Sequence, residues 1–518
     1  MRLTASRTRL FTLRHLRNDL LPWAIALAVG IDYFDNTIFS FFTSYIAGGI
    51  NASADELVWS STAYATASVL GVVQQQWLIE RLGFRRYLSA CLLMFAAGSL
   101  AASLSESSLE LAMARGFQGY FIGPMLGTCR ILLQTCFMPQ ERAPATRTFL
   151  TMILLASALA PMIGGYLVAH LDWRALFTCS TVVGTALAVF SFLVVPHVGK
   201  RRPERRSATH LWPYLVFAFA LGTLQIVTQQ VRFELFSTSP LLLFMTVAGG
   251  FALGWFAWQQ WHDPRPLLRL NALREGPYRL GIVLYAFYYF MSNAIGYLIS
   301  RLLLSGLDYP VENAGRLVGL TSLASIPMAF AYFHFAKRIT RKKWLIVPGF
   351  LMAAFIGIWV EHLPPDVSTP WLLAPLVMRG FLLMFIALPT ASAAFQIFSN
   401  DEFTHGYRFK NIVKQLSYSL STASVIILEQ HRMAVHETRL NEFANPFNPV
   451  FQNTLDTMTR AFEALGNGAG DARNLALAEL ARVAAHQASF MSVLDGFHLM
   501  IGLALLGGAI ALVQRQIR

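Results

Sequence analysis

The chain has 518 residues, of which 55% are hydrophobic and only 13% are charged, and its mean hydropathy is +0.48. Soluble domains typically carry about 25% charged residues, so the composition excludes an ordinary soluble protein. The net charge of +13 comes from basic segments between apolar blocks and gives no support to nucleic-acid binding.

The apolar residues cluster in blocks of about 20, the length of helix that crosses roughly 30 Å of hydrocarbon. We therefore predict an all-α polytopic membrane protein, because a transmembrane β-barrel would show alternating segments of about ten residues. Residues 1–20 are rich in Arg, which predicts a cytoplasmic basic tail that lies on anionic lipid. A mitochondrial transit peptide is the alternative for this segment.

The first apolar block, residues 21–50, contains Asp32 and Asp35. A carboxylate at the centre of a bilayer costs about 2.5–3.5 kcal/mol on insertion scales, and such acids usually mark ion or proton pathways. Residues three apart share a helix face, so both carboxylates can point into one interior cavity. The pair predicts that function is concentrated in this span.

Further blocks follow along the chain, and together they predict fourteen transmembrane helices in groups of six, two and six. The predicted spans are approximately 21–48, 57–79, 87–105, 109–133, 145–170, 175–196, 211–229, 240–260, 277–305, 311–336, 343–363, 371–397, 409–431 and 488–514. The predicted domains are the tail 1–20, an N-terminal six-helix bundle 21–196, a linker with two inserted transmembrane helices 197–276, and a C-terminal six-helix bundle 277–518 with a periplasmic loop at about 432–487.

Most of the 41 Lys and Arg residues lie in alternate segments, on the side of the N-terminal tail, including Arg408 and Lys410 around the start of span thirteen. Because Lys and Arg favour cytoplasmic loops, we predict that both termini are cytoplasmic. The two six-span groups also resemble each other weakly, as expected for a transporter built from repeated bundles. Arg115 in span four matches Arg379 in span twelve, and each is followed by Gly.

The loop between spans two and three reads QWLIERLGFRR over residues 76–86. Its charged residues can pair with helix ends and with the opposite half in one conformation and release them in the other. We therefore predict a cytoplasmic gating loop formed by Glu80, Arg81, Gly83, Arg85 and Arg86. Simple anchoring of basic residues on the cytoplasmic side is the alternative.

Span four carries Arg115 within the sequence LAMARGFQG. Arg keeps its proton, so inside the bilayer it requires an anionic partner, for which Asp35 and Asp32 are the candidates. By helical rise Arg115 lies nearer the outer face than Asp35, so contact requires the long Arg side chain, a tilt or a water molecule. We predict a proton-coupling site of Asp35, Asp32 and Arg115 in which Asp35 is the preferred titrating group, since burial opposes its charge and Arg115 favours it.

Span five contains the sequence APMIGG over residues 160–165. Pro161 removes a backbone donor, and Gly164 and Gly165 remove side-chain bulk, so this helix can bend and approach a neighbour closely. The general enrichment of Gly and Pro in membrane helices is the alternative explanation.

These stretches, together with FDNTI at residues 34–38, resemble the fourteen-span drug:proton antiporters of the major facilitator superfamily, the EmrB/QacA group. FDNTI is similar to the Asp-x-Thr-Ile signature of that group. The other stretches resemble the superfamily's loop between spans two and three, its Arg-x-x-Gln-Gly pattern and the Gly-Pro-x-x-Gly-Gly antiporter motif. After FDNTI, however, this chain has the aromatic run FSFFTS where the group usually has Asn-Val-Ala-Leu-Pro.

The resemblance implies the major facilitator fold and transport rather than enzymatic chemistry. It implies no cofactor, with the proton gradient as the energy source, and a multi-pass location in a bacterial inner (cytoplasmic) membrane. In Gram-negative relatives it also implies a periplasmic adaptor and an outer-membrane channel. The loop at 432–487, with amphipathic helices predicted at 455–465 and 471–490, is a candidate docking site, and an extracellular cap without a partner is the alternative.

Candidate substrate contacts are polar or aromatic residues within the spans, although lipid-facing and packing roles remain alternatives for them. They are Phe34, Phe39, Gln118, Tyr288, Tyr289, Asn293, Arg301 and Arg379. Lys414, in span thirteen, is a candidate for a proton relay or for a packing role. The spacing of Cys and His predicts no metal site.

We predict a proton-coupled antiporter that exports amphipathic or lipophilic compounds by alternating access. The alternative is a proton-coupled transporter of a specific anionic metabolite or siderophore, recognised through Arg379 or Arg301. A membrane sensor or scaffold that transports nothing is a third hypothesis, against which the gating and coupling motifs argue.

Overall fold

The computed structural model describes residues 2–200, 211–230, 239–263, 266–335, 338–339, 341–364, 367–396, 398 and 400–517. Every regular element in these ranges is a helix. The first half contains α1 (Arg2–Phe41), α2 (Thr43–Gly49), α3 (Ala54–Leu82), α4 (Phe84–Ser103), α5 (Ser108–Ile122), α6 (Met125–Cys136), α7 (Arg142–His170) and α8 (Arg174–Val194). Two helices follow, α9 (Leu211–Gln230) and α10 (Pro240–His262).

The second half contains α11 (Gly276–Arg301), α12 (Val311–Leu323), α13 (Ser325–Phe335), α14 (Lys343–Glu361), α15 (Thr369–Leu382), α16 (Leu388–Ala394), α17 (Asn400–Phe443), α18 (Pro449–Ala464) and α19 (Ala469–Val513). A π-helical turn at Leu302–Gly306 extends α11, and another at Leu383–Ala387 joins α15 to α16. A short 3₁₀ helix, Leu270–Arg274, precedes α11.

Eleven helical stretches in the described part of the chain are long and apolar enough to cross a membrane, which agrees with the predicted all-α polytopic class. They are Asp19–Phe41, Phe84–Ser103, Arg142–His170, Arg174–Val194, Leu211–Gln230, Pro240–His262, Gly276–Gly306, Val311–Phe335, Lys343–Glu361, Thr369–Ala394 and Ala469–Val513. The predicted count of fourteen is not confirmed by this criterion. The other three predicted spans fall in α3, in α5 and α6, and in α17, which are more polar or shorter.

These three segments each pack against several other helices. The paired helices α5 and α6 are separated at Gly123 and Pro124, and α5 packs against α3 and α4. Helix α17 packs against α3, α11 and α19, so it joins the two halves. Helices α9 and α10 pack against each other, and α9 also contacts α3 and α17. Helices that face other helices can carry polar side chains at less cost than helices that face lipid.

The alternating helices give the bundle two ends. We call the end that holds Glu56, Glu110 and Glu312 the acidic end, and the end that holds Arg81 and Arg279 the basic end. At the acidic end α3 begins with a capping box, in which the Glu56 amide donates to Ser53 Oγ at 3.2 Å and the Ser53 amide donates to Glu56 Oε2 at 2.9 Å. This arrangement satisfies two backbone donors at the start of α3.

The two halves of the molecule meet at the acidic end. There α7 crosses α12, and a Cβ atom on Gly315 would collide with the Pro161 carbonyl oxygen. Nearby, Ser300 Oγ of α11 donates a hydrogen bond to the Phe41 carbonyl of α1. Because glycine permits the backbones to approach closely, this contact closes the acidic end.

Most of the segment 432–487, predicted as a loop, is a continuation of the neighbouring helices. Helix α17 has 44 residues and α19 has 45, so each is about 66 Å long, twice the thickness of the hydrocarbon layer. Helix α18 covers most of the first predicted amphipathic helix and packs against α19. Helix α17 continues to Phe443 because neither Pro nor Gly occurs between Tyr407 and Phe443. Helices α17, α18 and α19 thus form a helical extension beyond the acidic end.

Candidate functional site

Asp35 of α1 and Arg115 of α5 form a buried ion pair. Arg115 Nη1 donates to Asp35 Oδ2 at 2.6 Å, and both side chains are only 2% exposed. Ser180 Oγ of α8 also donates to Asp35 Oδ1, at 3.4 Å. The anionic partner predicted for Arg115 is therefore Asp35, and the long Arg side chain spans the predicted difference in depth directly.

The guanidinium of Arg115 is held by its surroundings. Its Nη1 also donates to Gln118 Oε1 at 2.9 Å, and Gln118 Nε2 donates to Ser99 Oγ at 2.6 Å. The rings of Phe39 and Tyr64 lie 4.2 Å and 4.3 Å from its central carbon, in the range of cation–π contacts. The structure thus places Phe39 and Gln118, two predicted substrate contacts, against Arg115.

Asp32 has different partners from Asp35. Asn36 Nδ2 and the Tyr64 hydroxyl donate to Asp32 Oδ1 at 2.8 Å and 3.1 Å. Lys414 of α17 donates to Asp32 Oδ2 at 3.4 Å, and this pair is also buried. The two aspartates therefore belong to separate ion pairs, one within the first half and one that joins the two halves.

Tyr64 of α3 connects these two ion pairs. Its hydroxyl contacts Asp32, while its ring packs on the guanidinium of Arg115. Asn36 Nδ2 donates to the same hydroxyl at 2.8 Å. A movement of Arg115 would therefore disturb the ring that positions the Tyr64 hydroxyl beside Asp32.

The predicted gating loop lies at the basic end, between α3 and α4. Gly83 has a φ of +80°, which favours glycine because a Cβ atom is strained there. The Phe84 amide donates to the Val198 carbonyl at 2.9 Å, and Arg85 contacts the His197 ring at 3.3 Å. These contacts join the loop to the segment that follows α8, in the same half of the molecule.

The other charged residues of this loop point in different directions. Glu80 is buried and accepts from Gln76 Nε2 at 2.9 Å, and its charge also interacts with that of Arg408 on α17. Arg81 stacks on the Trp77 ring, with 3.8 Å between the guanidinium carbon and the ring centroid, and Arg86 is exposed. Glu80 is therefore the loop acid that faces the second half.

The predicted antiporter motif lies where the halves meet. A Cβ atom on Gly164 would collide with the Phe42 ring, and one on Gly165 would lie 3.0 Å from the Val311 carbonyl oxygen of α12. Pro161 lies within α7, and its carbonyl faces Gly315 of α12. The motif therefore provides the small residues at the closed acidic end.

A central cavity of about 170 Å³ lies between the two halves. Four predicted substrate contacts line it, and they are Tyr288, Tyr289, Asn293 and Arg379. Lys414 lines it as well. Of the remaining two predicted contacts, Phe34 packs against the hydrophobic core, and Arg301 pairs with Glu429 of α17, with Nη2 donating to Oε1 at 2.6 Å.

A second and larger cavity, of about 520 Å³, lies at the basic end; we call it the inner cavity. Nine of its lining residues are aromatic, and two are cations, Arg130 of α6 and Lys410 of α17. Among the side chains that the structure describes, no Asp or Glu lines it. An aromatic chamber with a few polar groups is the usual form of a site for organic ligands.

The sequence-based prediction missed the role of α17. The expectation that Arg408 and Lys410 lie in a cytoplasmic loop is wrong, because both belong to α17 and are only 2% and 5% exposed. The signal was present in the spacing, since Lys410 and Lys414 are four residues apart and share a helix face. Arg130 lies within predicted span four, so its charge was a signal of the same kind as that of Arg115, whereas Tyr64 carried none.

Comparisons with known proteins show the family to which this sequence is similar. The model of the Major Facilitator Superfamily matches residues 25–422. The probable multidrug resistance protein EmrY of Escherichia coli K12 is 24% identical over 457 residues, which cover 87% of this chain and 88% of that protein. The multidrug export protein EmrB of the same strain is 22% identical over 448 residues, 86% of each chain.

The fold also matches solved structures. A bacterial homologue of the human lysosomal transporter Spinster, in an inward-facing and occupied conformation, superposes with a TM-score of 0.61. The match covers 96% of each chain at 12% sequence identity, so the likeness concerns the fold alone.

Proposed function

The chain belongs to the major facilitator superfamily of membrane transporters, and on this basis we propose that it exports amphipathic or lipophilic compounds in exchange for protons, by alternating access. The multidrug resistance and export relatives support this substrate class. The observation that carries the proposal is the buried pair of Asp35 and Arg115. A carboxylate that is both buried and paired with a cation can bind a proton when its surroundings change.

In this mechanism the proton binds Asp35. Protonation removes the negative charge that holds Arg115, so the guanidinium and the packed Tyr64 ring shift. The Tyr64 hydroxyl then no longer supports Asp32. Because Asp32 is paired with Lys414 of the second half, its weakened pair lets the two halves move relative to each other.

The same mechanism assigns the two ends of the bundle. With both termini cytoplasmic, the basic end faces the cytoplasm and the inner cavity receives substrate from that side. The contact of α7 with α12 is the outer seal, which opens when substrate is released outside. We place the chain in a bacterial inner membrane with fourteen spans, of which α3, α5 with α6, and α17 provide the three more polar ones.

The proton gradient supplies the energy, and no cofactor takes part. The helical extension of α17, α18 and α19 would lie on the periplasmic side. There it is available to a periplasmic adaptor that leads to an outer-membrane channel. Several large apolar side chains are exposed on this extension, including Phe443 and Val450, and such side chains favour a protein partner.

A specific anionic metabolite or siderophore is the second candidate substrate. It is favoured by Arg379, which lines the central cavity and has no acidic partner among the described side chains. Arg301 contributes less to this candidate, because its guanidinium is already paired with Glu429.

The proposal is tested in proteoliposomes with an imposed pH gradient and a proton-sensitive dye inside. Ethidium, an amphipathic cation, and 8-anilinonaphthalene-1-sulfonate, an amphipathic anion, serve as substrates. We expect at least one of them to drive proton flux through the wild type and neither through Asp35→Asn. Asp456→Asn is the matched control, because Asp456 is exposed on α18. Equal flux in Asp35→Asn and Asp456→Asn would refute the coupling role of Asp35.

A further inference from the structure

We propose that the inner cavity is a binding site for amphipathic organic anions, with Lys410 and Arg130 as the groups that bind the anionic head. This inference rests on the proposed export function and names the class of substrate that enters from the basic end. It concerns residues of α6 and α17 that are separate from the proton-coupling pair of Asp35 and Arg115.

Lys410 is the first ground for this assignment. Its ammonium lies 4.5 Å, 5.1 Å and 5.4 Å from the ring centroids of Tyr407, Tyr285 and Tyr289. Its hydrogen bond is a long one, of 3.5 Å, to the Tyr407 hydroxyl. The charge is therefore stabilised mainly by aromatic faces, and no carboxylate among the described side chains pairs with it. An ammonium in such surroundings can still bind an anion.

Arg130 is the second ground. Its Nη1 donates to Thr146 Oγ1 at 3.0 Å, and no described carboxylate pairs with it. Its charge and that of Lys414 both repel the charge of Lys410. Among the described side chains, Asp32 pairs with Lys414, and neither Lys410 nor Arg130 has an acidic partner. Two uncompensated positive charges in a shielded cavity are unfavourable unless an anion neutralises them.

The remaining walls of the inner cavity fit the apolar part of such a ligand. They include Phe149, Phe403 and Tyr332, together with aliphatic residues of α7 and α16. A volume of about 520 Å³ is in the range of pockets for drug-sized molecules. An amphipathic cation would fit the same walls, but it would meet the charges of Lys410 and Arg130. The charge of the head group therefore decides between the two classes.

The test compares two probes with the same apolar chain and permanent opposite charges, octanesulfonate and octyltrimethylammonium. Binding is measured by calorimetry on the full chain in lipid nanodiscs, without a pH gradient, after subtraction of empty nanodiscs. We expect octanesulfonate to bind at least tenfold more tightly than octyltrimethylammonium. A charged hydrogen bond contributes about 1.5–3 kcal/mol, so Lys410→Gln and Arg130→Gln should each weaken octanesulfonate binding about 10- to 100-fold.

Two further variants complete the design. Lys410→Arg keeps the positive charge and should keep most of the affinity for octanesulfonate. Arg279→Gln is the matched control, because Arg279 is an exposed cation at the basic end that does not line the inner cavity. If Lys410→Gln does not fold, Arg130→Gln and Lys410→Arg still decide the question.

Two outcomes would overturn the inference. One is equal or tighter binding of octyltrimethylammonium by the wild type. The other is an equal change of octanesulfonate binding in the cavity variants and in Arg279→Gln. A failure of the proposed antiport would give a different result. In that case Asp35→Asn would leave gradient-driven proton flux unchanged, while the wild type would still bind the anionic probe more tightly.

Discussion

Removing Asp35 alone should destabilise the protein much more than removing both charges of the Asp35–Arg115 pair. With 2.6 Å between Nη1 and Oδ2, the charge centres are about 4 Å apart, and their attraction is about 4 kcal/mol at an effective dielectric constant near 20. Breaking a buried pair on one side typically costs about 3–5 kcal/mol, because the other charge stays buried without a partner. We therefore expect a loss of this size for Asp35→Asn.

The double variant Asp35→Asn with Arg115→Gln should recover most of that stability, because it leaves no uncompensated charge. It should not recover the proposed proton-driven export, because the carboxylate proposed to bind the proton is gone. The two single variants and the double variant form a double-mutant cycle, measured by detergent-induced unfolding of the purified protein. The partly exposed pair of Glu312 and Arg316 on α12 is the control cycle, with an expected coupling of about 0.3–0.5 kcal/mol. A coupling between Asp35 and Arg115 no larger than the control would refute the reasoning.

Two more predictions concern the contacts between the halves. Lys414→Gln should slow gradient-driven export about tenfold or more, because the charged hydrogen bond to Asp32 contributes about 1.5–3 kcal/mol. Lys414→Arg keeps the charge and should retain export. Equal export rates for the two variants would contradict this prediction. Gly315→Val should prevent closure of the acidic end, because its side chain would collide with the Pro161 carbonyl, at a cost of about 1–3 kcal/mol. Spin-label distances across the acidic end should lengthen in Gly315→Val and stay unchanged in Gly254→Val, whose added Cβ atom meets no neighbour within 4 Å.

The contact that was easiest to predict is the one between Asp35 and Arg115. A cation that cannot lose its proton requires an acid inside a membrane, and few acids are available there. The partner of Asp32 could not be predicted in the same way. Lys414 is 382 residues away in the chain, and only the packing of α17 against the first half brings the two together.

Helix boundaries were predictable where the apolar blocks were long and uniform, as in α7 and α8. They were least predictable in α17, because its first turns are rich in polar residues typical of a loop, yet Tyr407 and Lys410 line the inner cavity. In the segment 432–487, helices were predicted only at 455–465 and 471–490, whereas the absence of Pro and Gly between Tyr407 and Phe443 allows α17 to continue to Phe443. Whether a polar segment is a loop or a buried helix depends on what surrounds it in the fold, and the sequence alone does not give those surroundings.

The length of α17 has a mechanical consequence. A helix of 44 residues is about 66 Å long, so its tip lies about 33 Å from its midpoint, and each degree of tilt about that midpoint moves the tip by roughly 0.6 Å. The same helix carries Lys410 and Lys414 in its first third. Lys414 lies about 11 Å from that midpoint along the axis, so a tilt moves the outer tip of α17 about three times as far as it moves Lys414.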